Sequence, residues 1–405
     1  MPSVIAFDVS MGKSYMVIYN ADRVCIFEGE MLHKRSFFER LYNQIKALIQ
    51  KDAQAPDIVF EATGVYSRQL ERFFTEYGFP YCLLNPLESK LQTASMRMHK
   101  TDKSDAHRLA QTHFTATRRI KKPQEAYYDQ MRALSRYYKE LDEELSLIRS
   151  RIHTLLQLTF PEMESLFTQK SELFLNILQL FPHPDCVRHL SKTVVRNRLL
   201  TNTEKKLAPK TAEKKALQLL EAAQDSYPAV DAEDVRCDQL RVYAKRHLAI
   251  LRQREALIKQ MAELSKERKD YQVLISFPGI GPNTAVRLIG EIGDLTRFDN
   301  HKQLNAYAGI DIRRFQSGTL FYKDKINKRG NSYLRKILYF TIQNMIRQRR
   351  FGGNHIVDYY DKLKTQPYNK RHKVASIACV NKLLKSLFHL ITHDLHYDYQ
   401  LAAGK

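Results

Sequence analysis

Two carboxylates, Asp102 and Asp105, stand three residues apart in the stretch LQTASMRMHKTDKSDAHRLAQ, residues 91–111. Met98, Leu109 and Ala110, set among good helix formers, predict a helix that starts near Thr101. Residues i and i+3 share a helix face, so both acids point the same way. Like charges that close repel unless a cation lies between them, and hard divalent cations take carboxylate oxygens. Arg97, Lys100, Lys103 and Arg108 crowd the pair with positive charge. Paired acids inside a basic belt fit metal-dependent chemistry on a polyanion. The alternative is that Asp102 caps the helix and Asp105 is solvated in its first turn. Two further acids, Asp8 in VIAFDV and Glu61 at the end of DIVFE, stand in apolar runs. A buried acid is costly there unless it is paired or binds metal. Farther along, Ser317–Gly318 lies among lysines and arginines. Glycine gives access to such a serine, and cations would stabilise the transition state of its attack on phosphorus. A plain turn is the competing reading.

The elements that must position the acids follow from hydrophobic patterning. Val4–Val9, Tyr15–Tyr19 and Val24–Phe27 read as strands separated by the turn-like Met11-Gly12-Lys13 and Asn20-Ala21-Asp22, which predicts an antiparallel meander. Phe38, Leu41, Ile45 and Leu48 give a helical stripe. Asp57–Glu61 is a fourth strand, Ser67–Tyr77 a helix, and Tyr81–Leu84 a fifth strand closed by Asn85-Pro86. The acids thus come from strand one, strand four and the helix after strand five.

Length and charge bound the class. The chain has 405 residues, enough for two or three domains, and a net charge of +21 that favours a nucleic-acid partner over small acidic substrates. No run of about eighteen apolar residues occurs, so no membrane span is expected. The N-terminal MPSVIAFDVS has no basic n-region and carries Asp8 in its apolar run, unlike a signal peptide. The five cysteines are scattered without a CxxC, so neither a zinc knuckle nor a disulfide framework is indicated, and a reducing cytoplasm is expected.

The middle of the chain is helical. Leu134, Leu141, Ile148 and Leu155 repeat every seven residues with Tyr138, Leu145 and Ile152 between them, a coiled-coil seam. Tyr243, Ile250, Leu257 and Leu264 repeat likewise on a second helix near residues 231–269, but His247 and Arg254 occupy its complementary positions. The two helices are expected to form a hairpin or to pair across protomers; a bundle within one chain is the alternative. Residues 162–228 read as a helical insert of unassigned role.

The last third is basic. Residues 313–350 hold eleven Lys or Arg and one acid, Asp324, and residues 362–385 hold seven and no acid. Phosphate contacts use such an excess, while a core does not. Pro278-Gly279-Ile280-Gly281 between two helical stretches resembles a helix-hairpin-helix, in which glycines let backbone N–H groups approach phosphate. Lys100, Lys103, Arg313, Arg314, Lys325, Lys328, Arg329, Arg335, Gly279 and Gly281 are the candidate nucleic-acid contacts.

Several segments carry a family resemblance. FDVS, EATGVY (61–66), LNP (84–86) and KTDKSDAHRLA (100–110) resemble the DEDD transposases of bacterial insertion sequences, the IS110 family and its IS1111 subgroup. YAGI (307–310), QSG (316–318) and INKRGNSYLR (326–335) resemble the second domain of the same family. The resemblance implies an RNase H-like, RuvC-like domain over residues 1–120 and a mainly helical transposase domain over 272–405, and the heptads set a coiled-coil and helical insert over 121–271 between them. It implies that Asp8, Glu61, Asp102 and Asp105 bind Mg²⁺ or Mn²⁺ and that Ser317 is the nucleophile. It further implies donor and target DNA, a structured bridge RNA and a dimer or tetramer as partners. One departure is visible: Asp311-Ile312-Arg313-Arg314 follows YAGI where relatives often carry a proline. No phosphate-binding loop of the Gly-x4-Gly-Lys-Ser/Thr type occurs, as expected of strand exchange that conserves bond energy. The rival readings are a junction-resolving endonuclease that uses metal-activated water, and a non-catalytic nucleic-acid-binding protein.

Overall fold

The computed structural model describes residues 2–92, 101–116, 118–169, 171–203, 207–314, 316–317, 320–321 and 324–404. For residues 316, 317, 320 and 321 the description is of the backbone. Arg97, Met98 and Lys100 lie outside the described residues. The chain divides into two compact units, Met1–Pro123 and Gln124–Lys405.

The first unit runs β1 (Val4–Ser10), β2 (Lys13–Tyr19), β3 (Cys25–Leu32), α1 (Arg35–Asp52), β4 (Asp57–Glu61), α2 (Arg68–Glu76), β5 (Tyr81–Leu84), α3 (Pro86–Gln92) and α4 (Asp102–His113). The sheet order is β3-β2-β1-β4-β5. The meander β1–β2–β3 is antiparallel, and β4 and β5 add in parallel on the other side of β1. This mixed sheet agrees with an RNase H-like DEDD domain. β3 runs five residues past the predicted Phe27. Ile26, Phe27, Glu28 and Glu30 are exposed along it, so this edge strand lacks the alternation that makes a half-buried strand legible.

Two cores sandwich the sheet. Ile5, Phe7, Val9, Ile58 and Phe60 face α1 and α2, with Leu41, Ile45, Leu70 and Phe74. Val4, Ala6, Val17, Tyr19, Val59 and Leu84 face the other way, onto Ala106, Leu109 and Ala110 of α4. Period-two alternation therefore assigns each residue of β1 and β4 to a face.

The second unit begins with α5 (Ala126–Thr159), continues through α6 (Met163–Leu166), α7 (Glu172–Leu180), α8 (Asp185–Arg188), α9 (Lys192–Thr201) and α10 (Pro209–Asp225), and returns in α11 (Val235–Ser265). Then follow α12 (Lys269–Ser276), α13 (Pro282–Ile292), α14 (His301–Ala308), the two-residue strands β6 (Ile312–Arg313), β7 (Gln316–Ser317), β8 (Leu320–Phe321) and β9 (Lys325–Ile326), and the helices α15 (Ser332–Arg347), α16 (His355–Lys364), α17 (His372–Thr392) and α18 (Tyr399–Ala403).

The predicted seam of α5 is filled within the chain. Tyr138, Leu141, Leu145, Ile148, Ile152 and Leu155 are buried in one cluster with Leu240, Ala244, Leu257 and Met261 of α11. The helices are antiparallel: Arg246 pairs with Glu144, Arg254 with Asp142 at 3.3 Å, and Tyr127 donates to Ser265 at 2.8 Å. The heptads are thus satisfied as an intramolecular hairpin and need no second protomer. The sequence reading separates 121–271 from 272–405, whereas the structure carries one apolar cluster through both. A Cβ on Gly290 of α13 would meet the Met131 carbonyl oxygen at 2.6 Å, so the glycine lets α13 press against α5.

α17 is the one helix, among the described residues, long and apolar enough to cross a membrane. Its apolar stripe, Ala375, Cys379, Val380, Leu383 and Leu387, is buried in the same cluster, as in the core helix of a globular unit.

Candidate active site

The four acids sort onto one side of the first unit. Asp8 follows Phe7 on β1 and so shares the face of Val4 and Ala6. Glu61 follows Phe60 on β4 and shares the face of Val59. Phe7 and Phe60 are the last paired positions of the parallel β1–β4 ladder. Asp8 and Glu61 are therefore the next residues on adjacent strands, at the C-terminal end of β4. On α4, Asp102, Asp105, Ala106 and Leu109 follow i, i+3, i+4, i+7 spacing, and Ala106 and Leu109 are buried against this same sheet face. All four acids therefore lie on the side of the sheet that α4 covers. Asp8, Glu61 and Asp105 are half-buried and Asp102 is exposed.

Neither aspartate on α4 is the cap. Thr101 is, in a reciprocal capping box with Ser104: the Ser104 N–H donates to Thr101 Oγ1 at 3.1 Å and the Thr101 N–H donates to Ser104 Oγ at 3.0 Å. The capping alternative for Asp102 is thereby excluded, because the N-terminal donors already have a hydroxyl. Both acids keep the favourable position of negative charge in a first helical turn. Arg108 Nη1 lies 3.8 Å from Asp105 Oδ1. Lys13, at the start of β2, has its ammonium held above its ordinary range mainly by Glu30, with a smaller contribution from Asp102. Lys13 is a neighbour that the sequence reading did not pick out.

After Glu61 the backbone turns, with the Thr63 N–H donating to the Glu61 carbonyl at 3.0 Å. Gly64 has φ +63°, and the next two side chains, Val65 and Tyr66, are exposed at the end of β4. Carboxylate oxygens supplied by two strands and one helix suit hard divalent cations, Mg²⁺ or Mn²⁺, by donor type.

In the second unit Ser317 lies on a small antiparallel arm. β6 pairs with β9 and β7 with β8, so Ser317 stands opposite Leu320 at the far end, beside Gly318 and Thr319, which lie outside the described residues. Asp311 closes the base of the arm: its carbonyl accepts from the Asn327 N–H at 2.9 Å and its carboxylate from Asn327 Nδ2 at 3.0 Å. Below this lies a network that the sequence reading missed. Glu291 is fully buried and accepts from Arg136 at 2.7 Å and from Asn331 Nδ2 at 2.7 Å. Asn331 also caps α15. A buried acid with a partner 155 positions away leaves no local signal.

The candidate nucleic-acid contacts divide. Arg313, Lys325, Lys328 and Arg329 are exposed. Arg314 is exposed but paired with Asp324 at 2.9 Å. Arg335 is half-buried and donates to the Ala308 carbonyl at 2.7 Å, so it fastens the turn after α14. Lys103 is tied to Glu28 at 2.5 Å. Gly281 is the N-cap of α13 and a Cβ there would meet nothing, so the helix end is open. Gly279 has φ +94° and no room beside Met345, so it serves packing.

The mixed sheet, with acids from two adjacent strands and the covering helix on one side, is consistent with an RNase H-like, DEDD-type polynucleotide-processing domain. A family model for DEDD transposases of the IS110 type matches residues 5–161, and one described as "Transposase IS116/IS110/IS902 family" matches residues 271–359. The chain belongs to the IS110 family of insertion-sequence transposases, and it is a DNA transposase. It is 23% identical over 315 residues to the insertion element IS110 uncharacterized 43.6 kDa protein of Streptomyces coelicolor, covering 75% of this chain and 74% of that protein. It is 28% identical over 142 residues to the transposase for insertion sequence element IS1111A of Coxiella burnetii, 34% of this chain and 37% of that one. It is 30% identical over 130 residues to the pilin gene-inverting protein of Moraxella bovis, 32% of this chain and 39% of that one.

Proposed function

We propose that this transposase cuts and rejoins DNA through a covalent intermediate on Ser317, at a site completed by Asp8, Glu61, Asp102 and Asp105. The observation that carries the reading is the placement of all four acids on the α4 side of the sheet, in a chain whose second family segment brings a serine among exposed cations. Ser317 Oγ attacks phosphorus; an Oγ–P bond forms as one deoxyribose oxygen leaves and takes up a proton. The hydroxyl of the other DNA end then attacks the same phosphorus and releases the serine. The four carboxylates would hold Mg²⁺ or Mn²⁺, which would neutralise charge on the phosphate and assist the departing oxygen. Arg313, Lys325, Lys328 and Arg329 hold the DNA backbone. By resemblance to the family, serine and acids come from different copies of the chain, and a bridge RNA that pairs with donor and target DNA supplies sequence recognition. The protein then reads backbone and shape.

The test is a DNA cleavage assay with Ser317→Ala and Asp105→Asn. Ser317→Ala is expected to abolish the denaturation-resistant protein–DNA adduct together with cleavage. Cleavage retained by Ser317→Ala but lost with Asp105→Asn would leave an endonuclease that uses water. Sequencing RNA that co-purifies with the protein tests the guide: no enriched structured species would remove the RNA from the reading.

A further inference from the structure

Beside the acids, α4 carries a second constellation. His107 faces the edge strand β3. The His107 Nε2 lies 2.8 Å from Glu28 Oε2, and its Nδ1 lies 2.7 Å from the Tyr19 hydroxyl. Cys25 completes a trio whose ligand atoms all lie within 4.8 Å of one another.

The backbone is bent to make this trio. Cys25 and Glu28 are three apart, so in an unbroken strand they would point to opposite faces. The β2–β3 register shifts between Ile18 and Tyr19, pairing Ile18 with Phe27 but Tyr19 with Cys25, so that Ile26 is the extra residue. Glu28 pairs with Val17 and Cys25 with Tyr19, and both partners belong to the core on the α4 side. The bulge thus turns thiol and carboxylate onto one face, toward His107. Bulges of this kind re-aim side chains.

We propose that Cys25, Glu28 and His107 form a transition-metal site, separate from the four acids, that takes Zn²⁺ with water as the fourth ligand and clamps β3 to α4. A thiolate, an imidazole and a carboxylate suit a borderline cation, whereas four carboxylates suit Mg²⁺. Tetrahedral Zn²⁺ at ordinary bond lengths sets its ligand atoms roughly 3.3–3.8 Å apart, so the trio closes with small side-chain movements. Glu28 divides its oxygens: Oε1 takes Lys103, and Oε2 is the one turned to His107. In the tautomer that carries its proton on Nδ1, the Tyr19 oxygen, 2.7 Å away, accepts from it and the Nε2 lone pair turns to the metal, as with an orienting partner of a ligating histidine.

Co²⁺ titration of the full chain, with Mg²⁺ in excess to occupy the four-acid site, tests this. One equivalent is expected to give a thiolate-to-cobalt charge-transfer band, and Zn²⁺ is expected to bleach it. Cys25→Ser is expected to abolish the band, Glu28→Gln and His107→Ala to weaken binding at least about tenfold, and Tyr19→Phe about tenfold. Zn²⁺ is expected to raise the thermal midpoint of the parent chain and of none of the ligand variants. A missing band in the parent, a band that survives Cys25→Ser, or an affinity unchanged by His107→Ala would overturn the site.

Discussion

The catalytic case at the level of single residues turns on what Asp102 and Asp105 are for. A first-turn acid has a ready structural use as a cap, and here Thr101 and Ser104 have taken it. What remains is two carboxylates on the stripe that also buries Ala106 and Leu109, on the side of the sheet that carries Asp8 and Glu61. Asp105→Asn keeps the volume and removes the charge. It is expected to leave the circular dichroism spectrum unchanged and to reduce cleavage by on the order of 10²–10³-fold or more, the scale of losing one electrostatic stabiliser. A folded Asp105→Asn protein that cleaves at the parent rate would remove this carboxylate from the site. These acids were legible in the sequence because an acid in an apolar strand, or two at helical spacing, is anomalous locally. Glu291 was not legible, since its partners Arg136 and Asn331 are distant in the chain. Glu291→Ala would leave Arg136 and Asn331 without their acceptor. It is expected to destabilise the second unit by about 1–3 kcal/mol, read as a shift in the urea midpoint.

Elements show where periodicity suffices and where it does not. β1, β2, β4 and β5 follow from their apolar patterning, α1 from its helical stripe, and α4 from apolar residues set among good helix formers. β3 ran past its predicted end and its bulge was invisible, because a single extra residue changes which face a side chain meets without changing composition. The α5 seam was legible as a seam, but heptads do not say whether the partner is in the same chain; here α11 supplies it. The polar break in the α11 stripe has a consequence. His247 is buried, and burial, with Arg149 and Arg254 nearby, pushes its pKa down to about 4. Burial, with a smaller effect of Lys382, likewise lowers His355 to about 4. The unfolded chain takes up these protons near pH 6.5 and the folded chain does not, so stability is full above about pH 6.5 and falls as the pH drops toward 4. The urea midpoint is expected to be lower at pH 5 than at pH 7, and His247→Leu to shrink that difference. An unchanged difference would mean that His247 is solvated in the folded protein.

Across the whole molecule, the surplus of +21 is the feature most readily tied to a partner, and the structure decides which cations are available for it. Sequence alone counted Arg335 and Arg314 with the rest. The fold turns Arg335 inward to the Ala308 carbonyl, where burial holds its pKa below the usual guanidinium range, and it pairs Arg314 with Asp324. Arg313, Lys325, Lys328 and Arg329 remain exposed around the base of the arm that ends in Ser317. Each phosphate contact releases counterions, so log K for DNA falls with log salt by about 0.9 per contact. Replacing those four residues together by alanine is expected to flatten the slope by roughly 3–4 and to weaken binding similarly on unrelated DNA sequences, because these contacts position backbone and read no bases. Arg335→Ala is expected to lower the thermal midpoint while leaving the slope unchanged, since its guanidinium is spent on the turn after α14. Fluorescence anisotropy across a salt series measures both. A slope that the fourfold variant does not move would place the DNA on another surface, and the basic segment 362–385 would be the next to test.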